Sequence, residues 1–153
     1  MASFAEADRI PFPALALSLA GLLPFAAAAL SQYAALRGLP PDHGLRLGIV
    51  YGAVILSFLG GIGWGVALRP GAPRRQAIEF AASVLPSLAG VTSVFLPEIL
   101  SLGLLVSAFL MQALWDVMGV EDGRLPRWYG NLRMVLTAGA VIALIAMLPR
   151  LLI

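Results

Sequence analysis

Apolar positions in this chain fall into long, nearly unbroken runs, not into the narrow stripe that marks a helix half-exposed to water. Five such runs stand out: Pro13–Leu36, Leu45–Leu68, Ala77–Leu96, Glu98–Met118 and Gly130–Leu152. Each is close to or above the roughly 20 residues that a helix needs to cross a ~30 Å hydrocarbon layer. The pattern predicts an all-α polytopic membrane protein, a five-transmembrane-helix bundle forming a single membrane domain over residues 1–153.

The polar stretches between the runs carry helix-breaking punctuation. "RGLPPDHGLR" and "RPGAPRR" end the first and second spans, and "GVEDGRLPRW" joins the fourth to the fifth. Only "LPE" separates spans three and four, so these must form a tight antiparallel hairpin, with Glu98 placed where the positive end of a helix dipole favours a carboxylate. Five crossings put Arg9, Arg69, Arg74, Arg75, Arg124, Arg127 and Arg133 at one face, and Arg37, Arg46 and Arg150 at the other. By the positive-inside rule the amino terminus is expected in the cytoplasm and the carboxyl terminus in the periplasm, in a bacterial inner membrane. Trp64, Trp115, Trp128 and Tyr129 are then expected to anchor the inner interface. "FAAAALS" at the end of span one looks like a signal-peptidase site, but the leader "MASFAEADR" sets Glu6 and Asp8 against its arginine. Without a positive leader, span one is expected to be retained.

The second run contains "YGAVILSFLGGIGWGVAL", an uncharged stretch holding five glycines. Glycine costs about 1 kcal/mol relative to alanine inside a helix, so the row calls for a compensating contact. Ala53, Ser57, Gly61 and Gly65 recur every fourth place, and Gly48 and Gly52 form a second row on a neighbouring stripe. In lipid, helices associate through close backbone contact that small residues permit. Span two is therefore expected to be the central helix, packed through Gly48, Gly52, Ala53, Ser57, Gly61 and Gly65. The same bare backbone could instead line a ligand or ion path.

Pro24 and Pro86 lie inside spans one and three and are candidate kinks. Ser83 and Ser87 flank Pro86, placed to satisfy the backbone groups that it frees. Charged residues sit at span ends, and the deepest polar side chain, Gln112, lies one turn from Asp116. We expect an Asp116–Arg133 ion pair across the hairpin of spans four and five, with Gln112 hydrogen-bonded beneath it. This cluster would staple two helices or form the inner mouth of a proton or anion route.

Composition narrows the chemistry. Sixty per cent of the residues are apolar and 12% charged, about half the charged share of an ordinary globular domain. Cysteine is absent, and His43 is the lone histidine. No metal-ligand set, hydrolase triad or phosphate loop can be assembled, and no cofactor is expected. The net charge of +2 comes without a basic stripe, which speaks against nucleic acid. Lipid is the expected partner, with other membrane proteins or a second copy as further ones.

"ILSFLGGIGWG" within Tyr51–Gly65, and "PRWYGNLRMVLT" from Pro126 to Thr137, resemble the transmembrane protein 69 family, small multi-span proteins of bacteria and mitochondria that carry domain of unknown function 3429. The resemblance covers nearly the whole chain and implies a helical membrane protein without an established activity. Three functions stay open: an accessory or assembly protein acting through helix contacts, a small transporter or channel for protons, anions or a small solute, and an intramembrane enzyme. The last needs Glu79, Asp116 and Arg133 to converge.

Overall fold

The computed structural model describes residues 9–33 and 40–151. Among them are six α-helices: α1 (Phe12–Ala20), α2 (Leu23–Leu30), α3 (Pro41–Ala67), α4 (Pro73–Phe95), α5 (Glu98–Glu121) and α6 (Arg127–Met147), followed by a 3-10 turn, Leu148–Leu151. The described residues contain no strands. Taking α1 and α2 together, five helical segments are long and apolar enough to cross a membrane. The chain is an all-α polytopic bundle.

Helices α3, α4 and α6 start three to four residues before the apolar runs that predict them. Pro41 and Pro73 open their helices, and Pro126 caps α6. A proline there loses no helical hydrogen bond and brings a ready-made helical φ. The polar turns "PDHG" and "PRRQ" are thus the first turns of helices. The expected first span, Pro13–Leu36, is described only to Tyr33; Ala34, Ala35, Leu36 and Arg37, with Leu152 of the fifth, lie outside the described residues.

Span one is two helices. Pro24 is the second residue of α2, and the break falls just before it, at Gly21 and Leu22. Leu22 N–H donates to Leu19 at 3.0 Å, closing a tighter turn there. Pro24 has no N–H and crowds the carbonyl four residues back, so the regular ladder cannot run through. Pro86, by contrast, is buried inside a continuous α4. Ser83 does not repair the ladder beside it, because its hydroxyl donates to Phe80 O at 2.7 Å rather than to the carbonyl of Ala82 that Pro86 frees.

Helix α3 lies at the centre, touching α2, α4 and α5. Its closest approach is to α4. A Cβ added to Gly60 would lie 2.4 Å from Ser83 O, and one added to Gly90 would lie 2.8 Å from Ala53 O. Gly63 faces the Ser83 side chain at 3.3 Å. Backbone meets backbone at two levels, Ala53/Gly90 and Gly60/Ser83, about two helical turns apart on each helix. On another face, Gly48 meets Ala28 and Met147, while Gly52 meets Leu105 and Phe25. Phe25, Leu56, Leu102, Leu105, Phe109 and Leu144 fill the core between these contacts.

The expected row on α3 is therefore only partly inward. Gly48, Gly52 and Ala53 are buried and Ser57 is half-buried, its hydroxyl returned to Ala53 O at 3.0 Å. Gly61 and Gly65 are exposed, and a Cβ at either would meet nothing within 4 Å. The half of the seam nearer Arg69 runs through Gly60 and Gly63 instead. The reason is angular: each residue turns the helix by 100°, so adjacent glycines such as Gly60 and Gly61 face different neighbours.

Candidate functional site

Two layers of polar residues lie at the end of the bundle that carries Arg69, Arg75 and Arg124. In the inner layer, α5 supplies Gln112 and Asp116 one turn apart, and α6 supplies Arg133. Arg133 Nε donates to Asp116 Oδ2 at 2.8 Å, and Gln112 Nε2 donates to Asp116 Oδ1 at 3.0 Å. Both charged side chains are only 5% exposed, so the pair is withdrawn from lipid and water alike. Asp116 lies five residues before the end of α5 and Arg133 six after the start of α6, or about 8–9 Å inside the helix ends.

Sequence inspection missed two members of this layer. Tyr129, expected as an interfacial anchor, has a buried hydroxyl that faces Asp116 without forming a hydrogen bond of ordinary geometry. Thr137 follows Arg133 by one turn and its buried hydroxyl also lacks a partner. The spacing Tyr129, Arg133, Thr137 was the available signal, since residues four apart share a helix face. The terminal Nη2 of Arg133 is buried without a partner as well.

The outer layer ties loops together. Glu79 Oε1 accepts from Arg75 Nε at 3.1 Å and from Arg124 Nη1 at 3.3 Å. Asp122 Oδ2 accepts from Arg75 Nη2 at 2.7 Å and from Arg124 Nη2 at 3.1 Å. Arg69 Nη1 donates to Arg124 O at 2.8 Å, and Arg124 also lies over the Trp115 ring, 5.6 Å from its centroid. Gly123, at φ 70°, makes the turn possible by returning Arg124 and Leu125 N–H to Gly119 O. Glu79 therefore belongs to this clamp; its hydrogen bonds go to Arg75 and Arg124, and none goes to Arg133. Because Arg124 is less exposed than Arg75, 18% against 53%, Arg124→Ala should cost about 1–2 kcal/mol and Arg75→Ala at most about 1 kcal/mol. Thermal unfolding in detergent would read the difference.

Trp64 packs on Phe80 with ring centroids 4.7 Å apart, and Trp128 meets Tyr129 edge-on at 6.0 Å. Between α4 and α5, Pro86 and Gln112 border a cavity of about 460 Å³ that is otherwise walled by residues such as Leu85, Leu104 and Met111. Only about 10 Å³ of space separates Glu79, Asp116 and Arg124, roughly one water. Among the described residues no group of three or more His, Cys, Asp or Glu could hold a metal ion. The layers can bind helices together and offer hydrogen bonds; a nucleophile with an activating base is not assembled in either.

Residues 10–149 match the family described as "Protein of unknown function (DUF3429)". "Transmembrane protein 69" of Xenopus tropicalis is 36% identical over 141 residues, covering 90% of this chain and 54% of that protein. The protein of the same name from Mus musculus is 32% identical over 140 residues, covering 90% of this chain and 56% of its own length. The chain thus spans about half the length of these curated relatives. No solved structure matches. With a match across nearly every helix of the bundle, the chain belongs to the DUF3429 family, as a membrane protein related to transmembrane protein 69.

Proposed function

We propose that this protein acts through helix contacts in the bilayer, as a non-enzymatic accessory or assembly protein, and that the exposed Gly61–Gly65 face of α3 receives a further membrane-spanning helix. The observation that carries the reading is the empty space over both glycines, between exposed Phe58 and exposed Leu68. A glycine that packs against nothing weakens its helix and gains no dispersion contact in return. A second helix, from another membrane protein or another copy, would supply that contact through small-residue packing.

The arginine distribution supports a cell inner membrane location with the amino terminus in the cytoplasm and the carboxyl terminus in the periplasm. The arginine clamp and the tryptophans would then lie at the cytoplasmic interface, and the Asp116–Arg133 pair just beneath it. In this setting the pair staples α5 to α6. A transporter would use ionisable groups through the depth of the bundle, whereas the ionisable side chains of the described residues lie toward the helix ends.

The parent is expected to associate with a further helix in membranes, and Gly61→Leu should lose that association while keeping the parental helicity and melting temperature in mild detergent. Association unchanged in Gly61→Leu and Gly65→Leu would reject the reading.

A further inference from the structure

We infer that a cavity at the end of the bundle opposite the arginine clamp binds the headgroup of an ethanolamine phospholipid, its ammonium outermost and its phosphate beneath. The cavity holds about 480 Å³, within the range of small-molecule sites. The start of α3 forms one wall and the α4/α5 hairpin the other. The buried Ser101 hydroxyl donates to Ser93 O at 2.5 Å and ties the two arms of that hairpin. Asp42, His43, Arg46 and Glu98 line the cavity, and all four are exposed, so a ligand there can touch each of them. None of the four forms a hydrogen bond or ion pair among the described residues. Asp42 and Arg46 stand one turn apart in the order that favours pairing, yet they stay separate.

The order of groups along α3 identifies the ligand. Asp42, Arg46 and Val50 follow at four-residue intervals, so they share a face and stand about 6 Å apart along the axis. Read inward from the helix start, the face offers an acid, a base and an apolar residue. Glu98, the first residue of α5, adds a second carboxylate at the same end. Val50 and Val94 are 40% and 39% exposed and continue the cavity to the lipid-facing surface. An ethanolamine phospholipid carries the matching series: ammonium, phosphate, acyl chains. Its primary ammonium has N–H donors for Asp42 and Glu98, and its phosphate is an acceptor for the forked guanidinium of Arg46. The same two carboxylates repel a purely anionic headgroup, and a quaternary ammonium has no N–H to give them. A soluble phosphoethanolamine shares the polar chemistry but leaves the apolar lower half empty, which favours the lipid.

Full-length protein in an alkyl maltoside, which is uncharged, would be titrated with short-chain diacyl phosphatidylethanolamine, phosphatidylcholine and phosphatidylglycerol, and with soluble glycerophosphoethanolamine. Binding would be read by thermal shift. Phosphatidylethanolamine should bind saturably and at least about tenfold tighter than the other three, the worth of one hydrogen bond between charged groups. Asp42→Asn combined with Glu98→Gln should erase its advantage over phosphatidylcholine. Arg46→Gln should instead weaken both lipids, by about tenfold. Because these side chains are exposed and unpaired, every variant should keep the parental helicity and lipid-free melting temperature. Phosphatidylcholine or phosphatidylglycerol binding as tightly as phosphatidylethanolamine overturns the inference. So does a preference that survives the Asp42 and Glu98 changes, or binding unaltered by Arg46→Gln. Glycerophosphoethanolamine binding as tightly as the lipid overturns the assignment to a lipid.

Discussion

Replacing Asp116 alone by leucine is expected to destabilise the protein by about 3–5 kcal/mol, the cost of stranding one charge of a buried pair. Arg133 would then keep its charge among Phe109, Tyr129 and Leu136 with no counter-ion. It lies about 9 Å inside α6, too far for an easy return to water. Replacing both members, Asp116→Leu with Arg133→Met, should recover most of that loss, because apolar side chains of similar volume satisfy the site without desolvation. Single and double variants compared by thermal or denaturant unfolding in detergent separate a staple from a group required for folding as such. Gln112 provides an internal control: Gln112→Leu removes one neutral donor to Asp116 Oδ1 and leaves the ion pair, so its cost should stay near 1–2 kcal/mol.

Gly60→Leu and Gly61→Leu, adjacent and chemically identical changes, should differ by about 3 kcal/mol in their effect on the isolated protein. At Gly60 the obstacle is the Ser83 carbonyl oxygen, 2.4 Å from the added Cβ, and a backbone oxygen inside a helix cannot rotate away. Helix α4 would have to retreat along the whole Ala53/Gly90 to Gly60/Ser83 seam, at the upper end of overpacking costs. At Gly61 the added side chain enters open space and exchanges helix-weakening glycine for a good helix former. Gly90→Leu should behave like Gly60→Leu, since its Cβ would stand 2.8 Å from Ala53 O. Equal melting temperatures for Gly60→Leu and Gly61→Leu would show that the α3/α4 seam is not as close as described.

These two contrasts mark where the sequence was legible. Uninterrupted apolar runs identify all five spans, because the bilayer demands length and apolarity before anything else. Helix starts are hidden because Pro41 and Pro73 resemble loop punctuation, although proline is at home in a first turn. A row such as Ala53, Ser57, Gly61, Gly65 reports size along one face, but not where the neighbouring helix stands. That is decided by the turn "RPGAPRR", which swings α4 onto Gly60. Gln112, Asp116 and Arg133 share one end of one hairpin, so proximity follows from topology. The remaining contacts need three-dimensional information. Arg124 reaches Glu79 only after the Gly123 turn redirects the chain.

The two-sided nature of α3 is the claim on which the proposed function stands: one face sealed by this chain's own α4, the other left bare for a helix from outside it. The chain has no cysteine, so a photo-crosslinking residue can be placed at Gly61 or Gly65 without interference, with Val135, an exposed position on α6, as the comparison. Irradiated in native membranes, Gly61 and Gly65 should each yield the same discrete polypeptide adduct, lost on Gly65→Leu or Gly61→Leu respectively, while Val135 yields lipid adducts. Lipid adducts alone at all three positions would contradict the account.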